Sequence, residues 1–284
     1  MIIVSGATGA LGSAVVERLL DRVAPDRIGV CVRNPAKAQG LADRGVRVRQ
    51  GDFADPTSLD HAFEGASRVL VVSVDSTGEA AVRLHETAIH AAAKAGAQRV
   101  VYTSHQGAAP DSLFPPMPDH AATEAVLRDA GVPFTVLRNG FYASSAVQLL
   151  GAALTTGELA VPQDGPVSWT AHADLAEAAA IALADDVLDG VTPALTGAEA
   201  IDMEGVAALA SEVTGRPIRR VVVPAEDYRA TLLGHGVPEH AADLLVGLFA
   251  ASHRAEFAEV GPALGDLLGR RPTPLRDVLA AAVR

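Results

Sequence analysis

An α/β fold built on a doubly wound parallel sheet is predicted by three features of the sequence. Apolar runs of strand length recur at Ile2–Val4, Ile28–Val32, Val46–Val48, Val69–Val74, Val100–Tyr102 and Phe134–Leu137. Helix-length segments separate most of them, the alternation expected of a sheet covered on both faces. A glycine-rich turn follows the first run and opens into a segment carrying Val15, Val16, Leu19 and Leu20 on one helical face.

That turn reads Gly6-Ala7-Thr8-Gly9-Ala10-Leu11-Gly12. A pyrophosphate at a helix N-terminus needs backbone N–H groups unobstructed by side chains, and glycines permit both the tight turn and the close approach. Gly6, Thr8, Gly9, Ala10, Leu11 and Gly12 are therefore expected to hold a dinucleotide on a Rossmann-type domain. The spacing is one residue wider than the Gly-x-Gly-x-x-Gly fingerprint, so the weight rests on the strand, turn and helix agreeing.

The end of the second run bears on the choice of nucleotide. NAD-selective domains place a carboxylate there for the ribose hydroxyls, whereas this chain has Arg33 and, shortly after, Lys37. Two cations suit a ribose phosphate, and NADPH is the expected cofactor. Asp52 and Phe53, ending the third run, are placed beside the adenine, and Ser73, ending the fourth, beside the nicotinamide ribose. Ligands of open parallel sheets sit beyond the carboxyl ends of the strands. Thr103, Ser104, His105 and Gln106 after the fifth run, and Asn139 to Tyr142 after the sixth, are thus expected to flank the nicotinamide.

The segment from Glu79 to Gly96 predicts a helix whose buried face is Ala80, Leu84, Ala88, Ala91 and Ala95, leaving His85 and His90 at the surface. A helix is expected over 174–184, a short apolar piece at Pro193–Leu195, and a strand over Val221–Val223, with Arg219 and Arg220 preceding it. Residues 1–150 are expected to form the nucleotide domain, with 167–197 returning to it. Residues 198–284 form a smaller, mostly helical region over the substrate.

Composition narrows the partners. With 23 Lys and Arg against 34 Asp and Glu the net charge is −11, unsuited to nucleic acid or an anionic membrane surface. A small molecule is the expected partner, and the reading leaves room for a homodimer. Cys31 is the only cysteine, which excludes an intramolecular disulfide and a thiolate zinc cluster; no spacing suggests a metal site. The N-terminus lacks the charged flank and long apolar run of a signal peptide or membrane span, so a cytoplasmic location is expected.

Taken in order, the glycine turn, Arg33-Asn34-Pro35, Gly51-Asp52-Phe53, His120-Ala121-Ala122-Thr123-Glu124, Leu137-Arg138-Asn139-Gly140-Phe141-Tyr142, Leu195-Thr196-Gly197 and Arg270-Arg271-Pro272-Thr273-Pro274 resemble the NmrA-like branch of atypical short-chain dehydrogenase/reductases. Within it the sequence is nearest in character to NAD(P)H:quinone oxidoreductases and triphenylmethane reductases. The resemblance implies a nucleotide domain with a small substrate-covering region, and an NADPH-dependent reductase of quinone-like or other conjugated aromatic molecules. It makes Glu124 a structural partner for nearby donors. Arg138 is expected in a structural ion pair. NmrA-type regulators, which sense the nucleotide without catalysis and act through a protein partner, are the alternative.

Many short-chain reductases carry a Tyr-x-x-x-Lys pair that protonates a carbonyl. Here His120 stands where the lysine aligns and Pro116 where the tyrosine would be, so that route is in doubt. His120 is the candidate catalytic residue, with no tyrosine expected beside it to form a relay. His105, Gln106, Phe141, Tyr142 and Trp169 are the candidate substrate contacts, the aromatics suiting a flat acceptor.

Overall fold

The computed structural model describes residues 1–283. Its strands are β1 (Ile2–Ser5), β2 (Ile28–Val32), β3 (Arg47–Gln50), β4 (Arg68–Val71), β5 (Arg99–His105), β6 (Phe134–Asn139), β7 (Phe141–Tyr142), β8 (Glu158–Val161), β9 (Trp169–Thr170), β10 (Gly190–Val191) and β11 (Arg219–Val222). Its helices are α1 (Ala10–Leu20), α2 (Gln39–Ala42), α3 (Pro56–Ala62), α4 (Glu79–Lys94), α5 (Pro116–Asp129), α6 (Ala143–Leu150), α7 (Ala153–Thr156), α8 (His172–Ala184), α9 (Met203–Thr214), α10 (Ala225–Gly234), α11 (Glu239–His253), α12 (Ala263–Leu268) and α13 (Leu275–Ala282).

Seven strands form one parallel sheet in the order β3-β2-β1-β4-β5-β6-β10. The expected doubly wound α/β fold is present. Side chains alternate across the strands, so each face has its own core. Val4, Val30, Leu70, Val101 and Leu137 pack on α1 and α8, while Ile3, Cys31, Val69, Tyr102 and Val136 pack on α3, α4 and α5. A third cluster joins Ala146 and Leu150 of α6 to Val206 of α9, Phe249 of α11 and Leu279 of α13.

Several expected boundaries differ. The fourth strand ends at Val71 rather than Val74, because the Val72 and Ser73 amides leave the ladder for the hydroxyls of Ser5 and Thr103. The helix expected over 174–184 begins at His172, and Arg219 and Arg220 lie inside β11. The last sheet strand is Gly190–Val191; Leu195 makes only an isolated bridge to Asn139. Ala143, Ala146 and Leu150 of α6 pack in the third cluster, and Leu264 of α12 packs on the α1–α8 side.

The face of α4 is the largest correction. Its buried residues are Ala81, His85, Ala88, Ile89, Ala91 and Ala92; Ala80 is exposed, and Leu84 and Ala95 are only partly buried. His85 is therefore in the core, not at the surface, whereas His90 is exposed as expected.

Candidate active site

Chain order reverses between β1 and β4, opening a crevice beyond their carboxyl ends. Ser5 bridges the two strands there, its Oγ accepting the Val72 N–H at 2.9 Å. Gly6 adopts φ +62°, a conformation that L side chains avoid, and the Gly9 N–H closes the turn on the Gly6 carbonyl at 2.9 Å. A Cβ at Gly12 would drive into that same carbonyl, so only glycine lets α1 approach β1 this closely. Gly6, Thr8, Gly9 and Ala10 are exposed, while the Leu11 side chain and Gly12 are buried beneath them. The turn thus fits a pyrophosphate: a bare backbone surface above, a packed apolar anchor below.

Arg33 and Lys37 are exposed just after β2, and neither side chain has an ion-pair or hydrogen-bond partner among the described residues. A cleft of about 550 Å³ between the turn and α2 is lined by Thr8, Lys37, Leu41 and Arg44, the last held by a two-pronged ion pair to Glu17 at 2.6 and 3.0 Å. Asp52 uses Oδ1 to accept the Ala54 N–H, and Phe53 packs partly buried against the adjoining core. With both cations unpaired, NADPH is expected to bind at least about tenfold more tightly than NADH, since charge-assisted phosphate hydrogen bonds contribute about 1.5–3 kcal/mol each. Titration of wild type and Arg33→Glu with both nucleotides checks this; equal preference in the two proteins would contradict it.

A buried polar cluster lies on the α5 side of the sheet. Helix α5 opens at Pro116, whose missing N–H costs nothing at that position. His120, Thr123, Glu124 and Leu127 follow at helical spacing and face β5 and β6. Glu124 is 1% exposed; it accepts from Ser104 Oγ at 2.8 Å, from Arg138 Nε at 3.0 Å and Nη2 at 2.7 Å, and from Arg128 at 3.3 Å. The expected partnership of Glu124 and the expected ion pair of Arg138 are both present. The hydroxyl of Ser104, expected at the cofactor, is directed to Glu124.

Tyr102 overturns the expectation that no tyrosine accompanies His120. Its hydroxyl lies 2.8 Å from His120 Nδ1 and 3.5 Å from His85 Nδ1. Burial pushes His120 and His85 each down to about 4 and raises the Tyr102 phenol, with the neighbouring His120 adding to the effect on His85. The imidazoles are neutral at pH 7.

His105 stacks near His120 with ring centroids 6.4 Å apart and packs its edge on Phe141 and Phe257. Burial lowers it to about 3, with His120 again the second cause. Phe114 and Trp169 complete the aromatic wall around Phe141. Trp169 is 3% exposed and donates Nε1–H to the Ile201 carbonyl, so it buttresses Phe141 from behind. The Gln106 carboxamide is likewise engaged, donating to the Phe257 carbonyl and accepting from Ser168. Tyr142 lies tilted against His172 with ring centroids 4.2 Å apart, and burial pushes its phenol up to about 12. On the far side of Phe114 and Phe141 lies a cavity of about 590 Å³, bounded also by Leu149, Tyr228, Leu232, Leu244 and Leu248. Its lining is mostly apolar, as small-molecule sites usually are.

The model of the NmrA-like family matches residues 1–267. The chain belongs to the NmrA-like family. Quinone oxidoreductase 2 of Escherichia coli is 33% identical over 280 residues, covering 98% of this chain and 96% of that one. Its NADPH complex superposes with a TM-score of 0.95 over 100% of both chains, at 32% identity. The NADP(H) complex of Citrobacter sp. triphenylmethane reductase gives a TM-score of 0.93 at 32% identity, covering 99% of this chain and 100% of that one. NAD(P)H azoreductase of Xenophilus azovorans is 31% identical over 271 residues, 95% of this chain and 93% of its own.

Ser73 and Thr103 meet at the crevice, where Thr103 Oγ1 accepts the Ser73 N–H at 2.8 Å and donates to Ser73 Oγ at 3.3 Å. Sequence reasoning missed Ser5, His85, Tyr102, Phe114 and Phe257. It also left Asp174 unassigned: this buried carboxylate accepts from the Thr273 N–H and hydroxyl and pairs with Arg270, clamping the Arg270–Pro274 segment to α8. No helix among the described residues is long and apolar enough to cross a membrane.

Proposed function

We propose that this chain is an NADPH-dependent reductase that delivers hydride to a quinone-like or other conjugated aromatic acceptor. The observation that carries the reading is the site's combination of two neutral imidazoles with an aromatic wall, set beyond the strand ends beside a glycine turn flanked by unpaired cations. The named activities of the quinone, azo and triphenylmethane reductases support the acceptor class.

The backbone of Gly6 to Gly12 would take the pyrophosphate, Arg33 and Lys37 the ribose phosphate, Asp52 and Phe53 the adenine, and Ser73 and Thr103 the nicotinamide ribose. NADPH, when bound, supplies the hydride. Phe141 and its aromatic support hold a flat acceptor and exclude water, which favours orientation over acid strength. His120 donates a hydrogen bond without giving up its proton, because its cation forms only far below neutrality. The reduced oxygens of a quinone take their protons from water once the product leaves the site. Such a reaction needs no Tyr-x-x-x-Lys pair. A cytoplasmic setting, where NADPH is available, completes the reading.

Oxidation of NADPH should accelerate on adding a simple benzoquinone or naphthoquinone to the purified protein without flavin or metal. NADPH binding with no turnover across quinones, cationic dyes and azo compounds would instead assign the chain to the nucleotide-sensing regulators that act through a protein partner.

A further inference from the structure

His85 and His120 flank Tyr102, with His105 beside His120, and the groups bound to these neutral imidazoles bear on where each carries its proton. The Gly107 amide donates to His105 Nδ1 at 3.0 Å, so the hydrogen of that ring is on Nε2, a buried atom without a protein acceptor. The Val74 amide donates to His85 Nε2 at 2.9 Å, so His85 is protonated on Nδ1. That N–H faces Thr123 Oγ1 at 3.0 Å, and the Thr123 hydroxyl donates onward to the Asp119 carbonyl at 2.8 Å.

Tyr102 lies between a filled and an empty nitrogen. His85 Nδ1 already bears a hydrogen, so of the two imidazoles only His120, with Nδ1 at 2.8 Å, can accept the phenolic proton. A neutral His120 ring that accepts the phenolic proton on Nδ1 carries its own hydrogen on Nε2. No protein group is bonded to that atom, which keeps some exposure although most of the ring is buried. The carboxylates nearby do not pull His120 toward its cation. Asp119 is engaged by the Gly78 amide at 2.6 Å, and Glu124 by Arg138 and Ser104.

We propose that Tyr102 is a positioning residue that holds His120 as the Nε2–H tautomer, so that His120 presents an N–H donor to an oxygen of the acceptor. The acceptor half of this inference rests on the reductase reading; the tautomer half does not. The tautomer matters because it sets the sign of the interaction. An imidazole protonated on Nδ1 would turn a lone pair toward the acceptor oxygen, whereas Nε2–H stabilises negative charge developing there. A sequence lacking the Tyr-x-x-x-Lys tyrosine on α5 thus supplies a phenol from β5 instead, acting one residue removed from the acceptor.

Nitrogen-15 spectra of histidine-labelled protein at neutral pH test the assignment, with the His120 signals identified by their loss in His120→Gln. Wild type is expected to show His120 and His105 protonated on Nε2 and His85 on Nδ1. In Tyr102→Phe, His120 should become a tautomer mixture. The variant's kcat/KM for a benzoquinone should fall by about tenfold, the loss expected for one hydrogen bond to a developing charge. Its NADPH affinity should be unchanged. Nδ1 protonation of His120 in wild type, or an unaltered tautomer in Tyr102→Phe, would overturn the proposal; if Tyr102→Phe does not fold, the wild-type spectrum decides. A wild type with the expected tautomers but no quinone turnover would remove the oxygen-binding half and the reductase reading, leaving the positioning role of Tyr102.

Discussion

Replacing Glu124 by alanine is expected to destabilise the fold by on the order of 3 kcal/mol, the cost typical of breaking a buried ion pair by removing one partner. The carboxylate is the meeting point of β5, β6 and α5, accepting from Ser104, Arg138 and Arg128 at once. Its loss strands the Arg138 guanidinium, whose side chain is 31% exposed and whose proton is held more firmly than usual by the Glu124 hydrogen bonds. It also leaves the buried Ser104 hydroxyl without an acceptor. Glu124→Gln keeps the shape and one carbonyl acceptor and should fall between wild type and alanine. Denaturant unfolding measures all three; an alanine variant as stable as wild type would mean that the cluster is not a structural keystone.

Acidification from pH 7 to pH 5 is expected to weaken the fold through His85, and more steeply than its carboxylates alone would cause. Burial holds its folded-state value near 4, against about 6.5 in the unfolded chain. The sign follows from this depression: the unfolded state takes up the proton first. The contribution is complete above about pH 6.5 and is lost progressively as pH falls toward 4. At 1.36 kcal/mol per unit, His85 alone accounts for roughly 2 kcal/mol by pH 5. His120 and His105 act in the same direction. The groups facing His85 are Tyr102, Thr123 and His120, none of them a carboxylate that would reward its charging. His85→Gln cannot titrate, so its stability should change less between pH 7 and pH 5 than that of wild type. Parallel curves for the two proteins would show the burial to be without thermodynamic consequence.

The nucleotide half of the site was legible because its chemistry is local. Strand, glycine turn and helix are contiguous in sequence, and the steric demands on Gly6 and Gly12 come from atoms within the same turn or across one strand. Arg33 and Lys37 follow their strand directly. The acceptor half depends on contacts between elements. Tyr102 and His120 are 18 residues apart and meet only because β5 and α5 pack on the same face. His85 was misplaced because a polar ring was read as facing solvent, whereas it is buried between partners from other elements, the Val74 amide and Thr123. The signal that could have corrected it is the early end of β4, where the Val74 amide needs an acceptor. Phe114 and Phe257 stand alone in irregular segments and announce nothing until the chain brings them to Phe141.

Direct hydride transfer to a quinone can be tested in a single turnover. The protein is mixed anaerobically with a benzoquinone and NADPH deuterated at its transferable position, in buffer free of flavin and metal. Consumption of NADPH and quinone in equal amounts, slower with deuterium than with hydrogen by a primary isotope effect, is the predicted result. Nucleotide that binds but is not oxidised, or is oxidised only after flavin or metal is added, would contradict it.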